Sequence, residues 1–85
     1  MQADLLRTEE RGYFPISPLM VFTDAELPFS VHLKVGDNFI LYTNEREAFT
    51  EERRHRLHEH GVDAVWIPAS HRPEYDRYIE EQLGA

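Results

Sequence analysis

The chain has 85 residues, 41% of them hydrophobic, with nine basic and sixteen acidic side chains and a formal net charge of −7. This length allows one small domain, and the acidic balance argues against nucleic acid or an anionic membrane as a partner, because both attract lysine and arginine. The absence of cysteine excludes disulfides and thiolate sites and favours a reducing compartment, so we expect a cytoplasmic protein.

Residues 1–12 carry few apolar side chains, so we expect a loose N-terminal lead before a single α+β domain over residues 13–85. Pro15 and Pro18 lack the backbone N–H that a central strand donates. Residues 13–17 therefore predict an edge strand or an extended arm.

A β-hairpin is the clearest pattern in the chain. Apolar and polar side chains alternate from residue 29 to residue 35, which is typical of a half-buried strand. The pair Gly36-Asp37 supplies the positive φ that a tight turn requires. Residues 39–42 are apolar on both faces, which predicts a central strand.

A capped helix follows the hairpin. The Thr50 hydroxyl can cap the first turn, and Glu51 and Glu52 suit the positive end of the helix dipole. Gly61 ends the helix about three turns later. Leu57 is its only interior apolar residue, which predicts weak docking through one anchor.

The remaining elements are a strand and a final helix. Residues 62–67 form an apolar run that Pro68 ends, and Pro73 suits the first turn of a helix. The apolar stripe of that helix has helical spacing and comprises Tyr75, Tyr78, Ile79 and Leu83. The predicted order is β-β-β-α-β-α, a small antiparallel-rich sheet with two helices packed on it.

Glu51, His55 and His58 are the candidate metal ligands, because the three side chains follow each other at helical spacing. A carboxylate and two imidazoles can hold zinc or nickel. The interpretation that we favour is instead a set of surface histidines near a helix C-terminus, where the dipole favours them, and hence no metal site. The spacing is not that of a metalloprotease motif, and no ligand from a second segment is evident.

The sequence otherwise argues against an enzyme and against a bound cofactor. Adjacent acids point in different directions on a helix, the serines lack a nucleophile-elbow context, and no phosphate-binding loop occurs. Half-buried helices favour contact with another domain or subunit. The candidate residues for that contact are Arg54, His58, Tyr75 and Tyr78.

A resemblance to a known protein family suggests a function. It rests on residues 13–17, 28–34, 39–42 and 49–52, on Leu57, Gly61-Val62 and residues 65–67, and on the ending Tyr75-x-x-Tyr78-Ile79-Glu80 with Leu83. Together they resemble the N-terminal module that precedes the catalytic domain in some bacterial HD and HD-GYP phosphohydrolases. The HD-GYP enzymes hydrolyse cyclic di-GMP with metal ions. The likeness covers residues 13–83.

The resemblance implies a non-catalytic regulatory, input or dimerisation module in cyclic di-GMP signalling. Its expected partner is a downstream catalytic domain or a second copy of the chain. The chain has no His-Asp dipeptide and no Gly-Tyr-Pro, so no catalytic residue of the family is carried over. The alternative hypothesis is a free-standing small-ligand or metal-binding protein that uses the histidine-bearing helix. A PilZ domain is not favoured, because neither Arg53 nor Arg54 has an arginine four residues later and the D/N-x-S-x-x-G motif is missing.

Overall fold

The computed structural model describes residues 9–21 and 25–83, and of Leu83 the backbone alone. Its strands are β1 (Tyr13–Ile16), β2 (Val31–Val35), β3 (Asn38–Thr43) and β4 (Val65–Pro68), and its α-helices are α1 (Glu51–Glu59) and α2 (Arg72–Leu83). Two short 3-10 turns, Pro18–Met20 and Ala69–His71, follow β1 and β4. The predicted α+β order, β-β-β-α-β-α, is confirmed.

The four strands form one antiparallel sheet in the order β1-β4-β2-β3. Tyr13 pairs with Pro68, and His32 of β2 pairs with Trp66 of β4. The first and third strands of the chain are therefore the two edges of the sheet. The prediction of an edge strand around Pro15 is confirmed, because an edge position leaves one side of the backbone without a ladder partner.

The prediction of a central strand at residues 39–42 is wrong. β3 pairs with β2 and, within the described residues, with no other strand. Ile40 is 51% exposed and Leu41 is 49% exposed. Apolar residues on both faces suggested a strand with neighbours on both edges, but among the described residues only one edge of β3 has a strand partner. The tight turn itself is confirmed, with Gly36 at φ +62°.

Helix α1 begins and ends as predicted. The Thr50 hydroxyl accepts the N–H of Arg53 at 3.2 Å, which satisfies one free donor of the first turn. At the other end Gly61 has φ +71° and donates to the carbonyl of His58, while Val62 donates to that of Leu57. These two bonds form a Schellman motif. Because Val62 closes the helix, the strand predicted from residue 62 begins only at Val65.

Both helices pack on the same face of the sheet. Leu57 is the buried residue of α1, as predicted, and Tyr78 anchors α2 in the same cluster. The core cluster comprises Phe14, Val21, Leu27, Phe29, Val31, Phe49, Leu57, Val65, Ile67 and Tyr78. In β4 the inward positions are Val65 and Ile67, so Trp66 points to the face that carries neither helix.

Of the predicted loose lead, residues 1–8 lie outside the described part of the chain. Residues 9–12 turn tightly into β1, since the backbone groups of Glu10 and Tyr13 exchange two hydrogen bonds of 2.7 and 2.9 Å. Neither described helix has the length and apolarity to cross a bilayer.

Candidate functional site

The predicted contact residues Arg54 and His58 lie together in one groove. It has a volume of about 440 Å³ and runs between the Pro18–Met20 turn and the C-terminal end of α1. The lining residues are Ser17, Pro18, Leu19, Arg54, His58, Gly61, Val62 and Asp63. Leu19 is 74% exposed, the largest exposed fraction among the large hydrophobic side chains of the described residues.

Hydrogen bonds hold the two walls of this groove together. The Ser17 hydroxyl accepts the N–H of Leu19 at 3.2 Å and so caps the 3-10 turn that carries Leu19. Arg54 donates from one nitrogen to the carbonyl of Val21 at 3.3 Å and from another to Glu51 at 3.0 Å. The guanidinium thus ties the helix to the segment after the turn. The result is an apolar surface bordered by a cation, an imidazole and the carboxylate of Asp63.

The candidate metal ligands Glu51, His55 and His58 do not converge. Glu51 bonds to Arg54, and His55 lies 3.4 Å from Glu59 in an exposed pair. His58 faces the groove instead. In the part of the chain that the structure describes, no three His, Asp or Glu side chains are placed to hold a metal ion.

Tyr75 and Tyr78, the other candidates for partner contact, belong to the core. Tyr78 is 5% exposed and meets the Phe29 ring edge-on at 5.3 Å. Tyr75 is half-buried between Phe14 and Phe29. Burial raises the pKa of the Tyr75 hydroxyl above its usual value. These rings fix α2 to the sheet and leave little area for a partner. Of the four candidate contact residues, the groove therefore contains Arg54 and His58.

The face of the sheet without helices carries an aromatic cluster, in which Trp66 is only 5% exposed. The Tyr13 and Phe39 rings stack at 4.3 Å, and Phe39 meets Trp66 at 5.2 Å. Lys34 lies over Trp66 and pairs with Glu10 at 2.6 Å. The sequence contains a pattern that predicts this position of Trp66. Side chains of a strand alternate between its two faces, so when Val65 and Ile67 point to the core, Trp66 points to the opposite face.

Ser30, His32 and His71 form a contact that sequence reasoning missed. The Ser30 hydroxyl lies 3.0 Å from Nε2 of His32, and its backbone N–H donates to Nδ1 of His71 at 3.2 Å. Burial, and then the nearby His71, lower the pKa of His32. This pair resembles a nucleophile with its base, but Ser30 is only 8% exposed, and the buried Nδ1 of His32 has no hydrogen-bond partner among the described residues. A third group that orients the base, as in hydrolytic triads, is therefore not supplied.

Comparison with known proteins gives a structural likeness. No family model and no curated protein matches the chain. The fold is similar to that of part of Bd1817, an HDG"Y"P protein from Bdellovibrio bacteriovorus, with a TM-score of 0.72 and 24% identity over 85% of this chain. The chain covers 24% of that protein, about a quarter of its length. At this identity the likeness establishes the shared fold, and an HD-GYP protein is thus a structural neighbour.

Proposed function

We propose that this chain is a non-catalytic regulatory or dimerisation module of an HD-type phosphohydrolase of cyclic di-GMP signalling. The observation that carries the proposal is the fold shared with a quarter of an HDG"Y"P protein. The dispersion of acids and histidines supports the non-catalytic role, since no three of them meet at a metal-binding geometry among the described residues. The catalyst is then a different domain, and this module acts on it by contact.

The groove is the surface that we assign to that contact. Leu19 offers an exposed apolar side chain, and Arg54 and His58 lie beside it at the C-terminal end of α1. A complementary surface combines an apolar side chain that enters the groove with a carboxylate that reaches Arg54. Because hydrogen bonds hold both walls, the groove requires little reordering on binding, which favours affinity.

The first test is genetic and enzymatic. The reading frame that contains this chain, or an adjacent frame, is expected to encode an HD-type domain. Hydrolysis of cyclic di-GMP by that domain is measured with and without residues 9–83, and the rate is expected to change. The isolated chain with Mn²⁺ is expected to leave cyclic di-GMP intact.

A variant of the groove makes the test specific. Leu19→Lys places a charge at the centre of the apolar surface and should reproduce the effect of removing the module, while Leu19→Met keeps the apolar contact and should retain regulation. The proposal is refuted if no HD-type domain accompanies the chain, if the domain hydrolyses equally with and without it, or if the isolated chain itself turns over the nucleotide.

A further inference from the structure

The two edges of the sheet differ in their protection. The edge strand β1 carries Pro15, which cannot donate a ladder hydrogen bond. The other edge, β3, runs for six residues, Asn38–Thr43, without proline, glycine or a charged side chain. Proteins usually protect such edges, because a free row of N–H and C=O groups pairs with another strand. The unprotected edge therefore requires an explanation.

The register of the hairpin shows which backbone groups of β3 are free. Val35 and Asn38 flank a two-residue turn and are partners in the ladder. Such a flanking pair exchanges both hydrogen bonds, and successive residues then alternate in direction. The N–H and C=O of Asn38 and Ile40 thus point to β2, and those of Phe39 and Leu41 point away from the sheet.

Exposed apolar side chains concentrate in the hairpin that carries this edge. Five large hydrophobic side chains are exposed in the described residues, and three of them, Val35, Ile40 and Leu41, lie in this hairpin. Their exposed fractions are 58%, 51% and 49%. Ile40 and Leu41 belong to β3 itself. An edge that has no strand partner among the described residues therefore coincides with exposed apolar side chains, which is the combination that strand addition uses.

We infer that two copies of this chain pair antiparallel along β3, around a two-fold axis at Ile40. When the axis is perpendicular to the sheet, the helix-bearing faces of both copies lie on the same side. When it passes beside Ile40, the outward N–H and C=O groups of Phe39 pair with those of Leu41 in the second copy. Phe39 then lies opposite Leu41 of the second copy, and Ile40 lies opposite its own counterpart. The strand is self-complementary in this register.

The electrostatics also fit a second copy. Each chain has a net charge of −7, but the six residues of β3 carry none of it. No like charges therefore meet between the paired strands, where they would be unfavourable. One strand pair buries less than the roughly 1,200–2,000 Å² of a stable complex, so the dimer is weak and concentration-dependent. The inference rests on the dimerisation part of the proposed function and names its surface.

Charge reversal at Ile40 tests the register. In Ile40→Lys the two new charges face each other across the axis, and self-association should weaken by about tenfold or more. Ile40→Glu should behave likewise, whereas an equimolar mixture of the two variants should associate, because lysine then faces glutamate. Sedimentation velocity from micromolar to millimolar protein measures all three samples. Leu19→Lys is the matched control and should leave association unchanged.

Amide hydrogen exchange of the unmodified chain gives a second, independent readout. Protection at Phe39 and Leu41 should rise with protein concentration, and this measurement remains available if a variant at Ile40 fails to fold. The inference is overturned if the chain stays monomeric at millimolar concentration, if the single variants associate like the parent, or if the mixture stays apart. None of these results bears on the groove contact, which the hydrolysis assay with Leu19→Lys tests separately.

Discussion

Replacement of Leu57 by alanine tests how much of this small domain depends on one side chain. Leu57 is 4% exposed and is the buried residue of α1. The substitution removes three carbon atoms from the core, worth about 0.8 kcal/mol each, and leaves a cavity that raises the total towards the 2.7–5.0 kcal/mol measured for buried leucines. Polar contacts of Arg53 and Arg54 still hold the helix, so we expect a loss of about 3 kcal/mol.

This loss is large relative to the stability of the whole chain. A domain of 85 residues has an unfolding free energy of about 4–13 kcal/mol, and each kcal/mol corresponds to roughly 4–8 °C in Tm. The Leu57→Ala variant should therefore melt about 12–24 °C lower than the parent. Urea denaturation and thermal unfolding, followed by circular dichroism, measure both quantities.

The control is the same substitution at the exposed Leu19, which should change the unfolding free energy by no more than about 0.5 kcal/mol. Equal effects of Leu57→Ala and Leu19→Ala, or a loss below about 1 kcal/mol at Leu57, would refute the assignment of Leu57 as the anchor of α1.

Three further predictions concern local features of the fold. Thr50→Ala should cost about 1 kcal/mol in urea denaturation because the N-cap bond is lost, and Thr50→Ser should restore most of it. Gly61→Ala should cost about 1–2 kcal/mol in the same assay; the added methyl group meets open space, so the cost is that of φ +71°. His32 has a lowered pKa in the folded state, so below pH 6.5 the unfolded chain binds more protons than the folded chain. The free energy of unfolding should therefore decrease as the pH is lowered. In His32→Gln this acid dependence, measured by urea denaturation at several pH values, should be weaker, and an unchanged slope would contradict the burial of His32 next to His71.

The local elements of the fold were predictable because each depends on few residues. Thr50 and Gly61 set the ends of α1, and Gly36 sets the hairpin turn, through backbone chemistry that acts within one or two turns of chain. Pro15 similarly fixed an edge strand, since the missing donor is a property of the residue itself. These signals are independent of the rest of the fold.

The position of β3 was not predictable for the opposite reason. The strand is apolar on both faces, which is equally compatible with burial under its own chain and with contact to another copy. The pattern contains no information on which strand lies beside it. Only the order β1-β4-β2-β3, which brings the last strand between the first and second, places β3 at the edge.

The groove was half predictable. Arg54 and His58 share one face of a helix, and that could be read from their spacing. The opposite wall comes from the Pro18–Met20 turn, more than thirty residues earlier in the chain. Its approach to α1 depends on the bond from Arg54 to the carbonyl of Val21, a long-range contact without a sequence pattern.

The two proposed surfaces meet at α1. Arg53 donates to the Tyr42 carbonyl at 3.1 Å and to the Thr43 hydroxyl at 3.0 Å, so it binds the end of β3. The next residue, Arg54, reaches the groove wall. Successive arginines of one helix thus hold the pairing strand and the docking groove. Because Leu57 alone anchors that helix in the core, the Leu57→Ala variant should loosen both surfaces together, whereas Leu19→Lys and Ile40→Lys should each affect one.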